Sequence, residues 1–273
     1  AIQDAISMYE LPSKWRADIL KEAELVASKK KTAKYRRDLR QLPFATIDGE
    51  DAKDFDDAIY CTKESNGYKL FVAIADVSFY VETTSKLDQE AKKRGTSIYF
   101  PETVIPMLPE NLSNGICSLR PNEDRCAMVC EMSIALDGTR KKYKFYSGLI
   151  NSQARLTYNQ VEKYLRQSAD LKQLAVRDSI NHLNELTKKR LKLRTQRRAL
   201  EINPAEAILE LNKNKEVKNI IIKKPLFAHK LVEESMLLAN ESAAEFMHDR
   251  LDLGVYRIHE DPDPSKLETL KKH

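Results

Sequence analysis

The chain has 273 residues, 42% hydrophobic and 32% charged, with a formal net charge of +5. That is enough apolar material for one large core or two small ones, and no apolar run reaches the roughly 18 residues needed to cross a bilayer. The opening AIQDAISMYELPSKW lacks the basic and apolar regions of a secretory signal, and four cysteines make no disulfide framework, which suits a reducing, cytoplasmic setting.

Residues 1 to about 35 read as a helical connecting segment. Pro12 opens a periodic stretch, KWRADILKEAELVASKKK, whose terminal lysines favour a helix C-terminus. A different chemistry follows. Asp48, Glu50, Asp51, Asp54, Asp56 and Asp57 crowd one short window between the apolar, β-prone PFATI and AIYC. Like charges this close shift each other's pKa or recruit a cation, and the flanks place them at the junction of two buried strands. In a strand Asp54 and Asp56 would share a face that Asp57 does not. A loop must therefore gather Asp48, Asp54, Asp56 and Asp57, with Gly49 supplying backbone freedom. EF-hand spacing fails, because a start at Asp48 puts Ala52 and Lys53 where an acid and a glycine are required. An all-oxygen set without His or Cys suits Mg²⁺ or Mn²⁺, and such sites serve phosphodiester hydrolysis.

From 36 to about 150 the pattern is β. KLFVAIADV is apolar on both faces, as in a central strand, and Asp76 at its end either has a structural duty or approaches the acids. PETVIPMLPENLSNG, with three prolines, reads as a long loop. CAMVCEMSIAL and KKYKFYSGLI flank Asp137-Gly138, a hairpin signal. In such a strand Cys126 and Cys130 lie about 13 Å apart, too far to bridge. Helices dominate from about 151. YNQVEKYLRQSADLKQLAVRDSINHLNELTKKRLKLRTQRR forms one or two, and its basic end is either a solvated face or a contact for phosphates. EINPAEAILELNKNKEVKNIII returns to β with NKNK as its turn. AHKLVEESMLLANESAAEFMHD is a helix with an apolar stripe at Val232, Met236, Ala239, Ala243 and Phe246 or Met247. Glu233 and Glu234 leave that stripe to one side, and SKLETLKKH opens a further helix.

RRDLRQLPFATIDGEDAKDFDDAIY, LFVAIADVSFYV, RGTSIYFPETVIPMLPENLSNGICSLRPNEDR, ARLTYNQV, AHKLVEESMLLAN and YRIHEDPDP, in that order, resemble the ribonuclease II/ribonuclease R (RNB) family of processive 3′-to-5′ exoribonucleases. The wording GEDAKDFDDA is nearer the ribonuclease R branch, and the resemblance runs from about residue 36 to the last. It implies an α+β fold: an RNB-type catalytic core with a mixed, barrel-like sheet and surrounding helices, β-rich over 36–150 and helix-rich over 151–273. It also implies two-metal hydrolysis of single-stranded RNA to nucleoside 5′-monophosphates, with Mg²⁺ as cofactor or Mn²⁺ as its substitute. Asp48, Asp54, Asp56 and Asp57 become metal ligands and catalytic residues, Asp56 being the most critical. Tyr99 would stack on the RNA end, a core aromatic being the alternative. Tyr158 would sit near the ribose with Glu233 or Glu234, unless those two are surface acids; the ribose 2′-hydroxyl is what distinguishes RNA. Where relatives carry a stacking phenylalanine, this chain has Ile202.

The resemblance further implies cold-shock modules upstream, an S1 module downstream and a later R-R-Y-P-D block with a catalytic arginine. YRRDLR at 35–40 is only superficially similar to that block. The chain is thus expected to be the N-terminal part of a catalytic domain, truncated at its C-terminus and weakly active. Two other classes fit part of the pattern. A nonenzymatic RNA-binding module needs the basic segments but not the aspartates, and a different divalent-metal phosphohydrolase needs the aspartates but not the tyrosines.

Overall fold

The alternating and doubly apolar segments build strands, which in chain order are β1 (Arg37–Asp38), β2 (Ala45–Asp48), β3 (Asp57–Glu64), β4 (Gly67–Ala75), β5 (Ile98–Phe100), β6 (Thr103–Ile105), β7 (Asp124–Ala135), β8 (Arg140–Asn151), β9 (Ala154–Thr157), β10 (Glu206–Leu211) and β11 (Val217–Lys223). The helices are α1 (Ile2–Met8), α2 (Ala17–Ala27), α3 (Val77–Tyr80), α4 (Lys86–Arg94), α5 (Tyr158–Leu165), α6 (Leu174–Gln196), α7 (Phe227–Leu251) and α8 (Pro264–Lys271). The computed structural model describes residues 2–28, 34–101, 103–199, 206–212, 217–252, 254, 256 and 258–272. The chain forms two units, Ala1–Ala239 and Asn240–His273. The second holds α8, which is capped by Asp263: its carboxylate accepts from the Ser265 backbone N–H at 2.8 Å.

Seven strands form one mixed sheet in the order β1-β8-β7-β4-β3-β2-β9, antiparallel except for the β1/β8 and β2/β9 pairs. The doubly apolar β4 lies at its centre, as its sequence requires. β9 is one edge and β8 adjoins the other, yet only Ser152 and Gln153 separate them in the chain. The sheet must therefore curl, in keeping with the barrel-like expectation. The Gln153 N–H donates to the Phe44 carbonyl at 2.8 Å, extending the β2/β9 pair, and the Leu39 N–H to the Leu149 carbonyl at 2.9 Å, extending the β1/β8 pair. The β7–β8 hairpin turns at Gly138, where φ is +95° and only glycine is relaxed.

Each face of the sheet carries a core. On one, Phe44, Phe55 and Phe71 fill the space left by Ala58, Ala73 and Ala127. The other packs Leu70, Val72 and Met132 against Val161 of α5, Leu183 and Leu186 of α6, and Leu231 of α7. α6 also covers the part of β3 that β2 does not reach: the Ser179 hydroxyl accepts the Cys61 N–H at 3.0 Å. A third core joins α2 and α4 to a π-helical turn over Asn111–Ile116. All four cysteines are buried thiols, and none is joined in a disulfide.

Several expectations are corrected. Pro12 does not open a helix; α2 begins at Ala17. The preceding segment is held by tertiary contacts, because Arg94 lies 3.5 Å over the Trp15 ring and donates to the Lys14 carbonyl at 3.1 Å. The proline-rich stretch is not one loop, since part of it pairs as β6 and part winds into the π-helical turn. In the first unit the buried face of α7 runs through Ala228, Leu231, Glu234, Ser235, Leu238 and Ala239, while Val232 and Met236 are only half-buried. A buried glutamate with distant arginine partners displaces the stripe that apolar spacing alone suggests. Ile202 and most of the NKNK turn lie outside the described residues.

Asp76 has a structural duty. Its carboxylate pairs with Arg36 at 2.7 Å, both side chains being nearly inaccessible, and accepts from the Ser78 hydroxyl at 2.9 Å. Arg37 pairs with Glu131 and Arg40 with Asp38 and Asp124, so the arginines of the YRRDLR run brace the sheet. Breaking a buried pair strands a charge, so Arg36→Leu should lower stability in urea by roughly 3–5 kcal/mol. The double variant Arg36→Leu/Asp76→Leu should recover most of that loss.

Candidate active site

Asp48 closes β2 and Asp57 opens β3, so the junction inferred from the apolar flanks is where the acids lie. The intervening loop is anchored at its centre. Phe55 is buried in the aromatic core, with its N–H donating to the Ser118 hydroxyl at 2.9 Å and its carbonyl accepting from the Leu119 N–H at 2.8 Å. Ser118 in turn donates to the Lys53 carbonyl at 3.0 Å, and the Asp56 carbonyl accepts the Ala75 N–H at 2.8 Å. Asp54 and Asp56 are thus the immediate neighbours of a fixed aromatic wedge. Arg155 of β9 closes the other side, donating through Nη2 to the Gly49 and Glu50 carbonyls at 2.8 and 2.7 Å. Gly49 has no positive φ and open space where a Cβ would stand, so its role is its carbonyl rather than the freedom expected of it.

The carboxylates feel one another. Burial, then the charge of Asp57, pushes Asp48 up to about 7. Burial, then Asp56, pushes Asp57 up to about 6. Asp56 still reaches solvent, and partial desolvation followed by the charge of Asp54 raises it as well. Asp48 Oδ2 is buried with no hydrogen-bond partner. Among the described residues no three His, Cys, Asp or Glu side chains stand in a chelating arrangement. The donor set nevertheless fits a hard divalent cation: all oxygen, mutually repelling, with one buried oxygen unpartnered.

Two tyrosines border the acids. Tyr99 is no core aromatic; it is 67% exposed on the β5–β6 hairpin, and its hydroxyl donates to Asp54 at 3.3 Å. Tyr158 is the first residue of α5, which starts at a capping box formed by Thr157 and Gln160. Burial, then the charges of Asp48 and Asp57, pushes its hydroxyl up to about 12. Its ring stacks on His229 of α7 with centroids 4.0 Å apart and planes within 14°. The sequence offers no metal motif for that histidine, and its place beside Tyr158 emerges only in the fold. Arg155 and Phe55 also escape sequence reasoning, although Phe55 lies between Asp54 and Asp56 and Arg155 three residues before Tyr158.

Glu233 and Glu234 separate. Glu234 is 2% exposed and held by Arg190 at 3.3 Å and Arg194 at 2.8 Å, so it is no surface acid. Glu233 is half-exposed, one turn beyond His229, and bound by Arg194 at 2.7 Å and Lys230 at 2.9 Å. These partners hold its carboxyl below the usual range against the opposing effect of burial.

A curled mixed sheet with a carboxylate loop at the end of two of its strands defines a class, and the chain belongs to the RNB domain family, which matches residues 36–273. Ribonuclease R of Vibrio cholerae is 43% identical over 271 residues, covering 97% of this chain and 33% of its own length. The apo form of Mycoplasma genitalium RNase R, 32% identical, superposes with a TM-score of 0.94 over 99% of this chain and 43% of that one. The same enzyme in complex with ribose methylated single-stranded RNA gives 0.91 over 96% and 42%. The chain spans about a third of the length of the curated relatives it matches.

Removing the wedge tests the loop. Phe55→Ala should cost about 3–5 kcal/mol in chemical denaturation, as for other buried aromatics. Hydrogen exchange should also accelerate at the Phe55 and Leu119 amides, while the β7–β8 hairpin stays protected.

Proposed function

We propose that the protein is a 3′-to-5′ exoribonuclease that degrades single-stranded RNA processively to nucleoside 5′-monophosphates. The observation that carries this reading is the anchored loop of Asp48, Asp54, Asp56 and Asp57 between Tyr99 and Tyr158, in a chain 43% identical to ribonuclease R. The four aspartates would hold Mg²⁺, or Mn²⁺ in its place. When bound, such cations supply water activation and stabilise the leaving oxygen.

The remaining residues bind and orient. Tyr99 offers an exposed ring on which a terminal base can stack, with its hydroxyl tethered to Asp54. The stacked Tyr158 and His229 make a firm edge beside Asp48 and Asp57, where a ribose can be read by its 2′-hydroxyl. Glu233 suits a ribose contact because it is half-exposed; Glu234 acts as a positioning residue through Arg190 and Arg194. Lys188, Lys192, Arg197 and Arg198 are exposed on α6 and just after it, and suit phosphate contacts. The buried thiols fit a cytoplasmic protein. An RNA-binding module without catalysis would have no use for the unpartnered oxygen of Asp48 or the repulsion around it.

In the complete protein, Asp56→Asn should cut cleavage of 5′-labelled poly(A) by roughly a hundredfold or more. RNA affinity should stay nearly unchanged, since it comes from dispersed basic and stacking contacts. Cleavage within a few-fold of wild type removes Asp56 from its role.

Thermal melting gives a second readout. Mg²⁺ at a hundredfold excess over its Kd should stabilise the protein by roughly 2.7 kcal/mol. In chelator, Asp48→Asn should melt higher than wild type because a repelled, half-buried charge is gone, and it should lose most of the Mg²⁺ shift. An Asp48→Asn variant that melts lower in chelator and keeps the full shift places the cation elsewhere.

A further inference from the structure

The outer edge of β9 borders a cavity of about 590 Å³ whose lining includes none of residues 48–57. Its lining carries three cations, Arg155, Lys163 and Lys172, and the carboxamides of Asn122, Gln153 and Gln173. The one carboxylate there, Asp170, is already paired with Arg177 at 2.8 Å. No acidic side chain pairs with Lys163 or Lys172 among the described residues. Arg155 commits Nη2 to the loop carbonyls and its Nε is buried, so it adds positive charge to the cavity wall rather than a hydrogen bond. Leu156 and Leu171 add an apolar strip.

Positive charge without counter-charge calls for an anion. Free phosphate would need only a corner of this space, which lies within the 300–1,000 Å³ or so typical of small-molecule sites. Amide groups that can donate and accept suit the edge of a heterocycle, and an apolar strip suits its face. We propose that this cavity binds a phosphate monoester of mononucleotide size, with its phosphate against Lys163 and Lys172 and its base beside the carboxamides. The assignment rests on the cavity alone and does not depend on the exoribonuclease reading.

Isothermal titration of AMP into the protein in EDTA tests it, because without divalent cations the carboxylate loop repels an anion. Saturable binding is expected, at least about tenfold weaker for inorganic phosphate, a difference of about 1.4 kcal/mol. Lys163→Gln/Lys172→Gln and, separately, Gln173→Glu should each weaken AMP binding about tenfold or more. Lys163 and Lys172 are exposed, so the melting temperature of that double variant should not move. The proposal is overturned by absence of AMP binding in EDTA, by unchanged affinity in both variants, by equal affinity for inorganic phosphate, or by binding of oligonucleotides alone.

Discussion

The constraint on which the site depends is the burial of Phe55 within a run of acids. Two unit charges about 4 Å apart repel by roughly 4 kcal/mol at an effective dielectric of about 20. A free loop would relieve that by swinging its carboxylates into water. Burying one aromatic ring contributes about 1.5–3 kcal/mol, and each backbone hydrogen bond adds about 1. The wedge, the bonds through Ser118 and Leu119, and the Arg155 clamp together oppose that swing. The small alanines of β3, β4 and β7 are therefore part of the site, because they leave the space that Phe55 occupies.

A second dependence runs through the helices. Glu234 sits on the buried face of α7, where an unpaired carboxylate would be costly. Arg190 and Arg194 of α6 meet it, and Arg190 also donates to the Gly138 carbonyl in the β7–β8 turn at 3.3 Å. This fixes the rotation of the first part of α7, since any roll would separate the pairs. The same rotation brings His229 flat against Tyr158. Ionic contacts distant from the acids thus set the aromatic wall beside them.

What the sequence discloses follows from range. The junction of β2 and β3, the central position of β4 and the turn at Asp137-Gly138 are local signals of period two and turn chemistry, and each is where the residues imply. The four aspartates stand out because their flanks are apolar. The wedge does not: Phe55 reads as one apolar residue in an acidic run, and only Ser118 and the alanines of other strands give it a place. Glu234 reads as a surface acid because its partners lie on another helix. The helix start at Ala17 is hidden for a like reason, since Arg94 and not local propensity holds Trp15.

The basic composition acquires its meaning here. Arg94, Arg125, Arg155 and Arg190 each donate to backbone carbonyls of turns or loops: Pro106, Ser118, Gly49 and Gly138 respectively. These carbonyls lie where the chain leaves regular structure and has no ladder partner to offer. A planar guanidinium with five donors can serve a carbonyl and a carboxylate, or two carbonyls, at once. Lysine has three donors, but all on one nitrogen, and so spans two separated acceptors less well. These arginines are therefore spent inside the fold, whereas exposed Lys188, Lys192, Lys163 and Lys172 keep their charge for solvent and ligands. Net charge alone would have counted both groups as surface available to a polyanion. The fold separates them, and it is the arginine group that keeps the carboxylate loop, the π-helical turn and the β7–β8 hairpin in place.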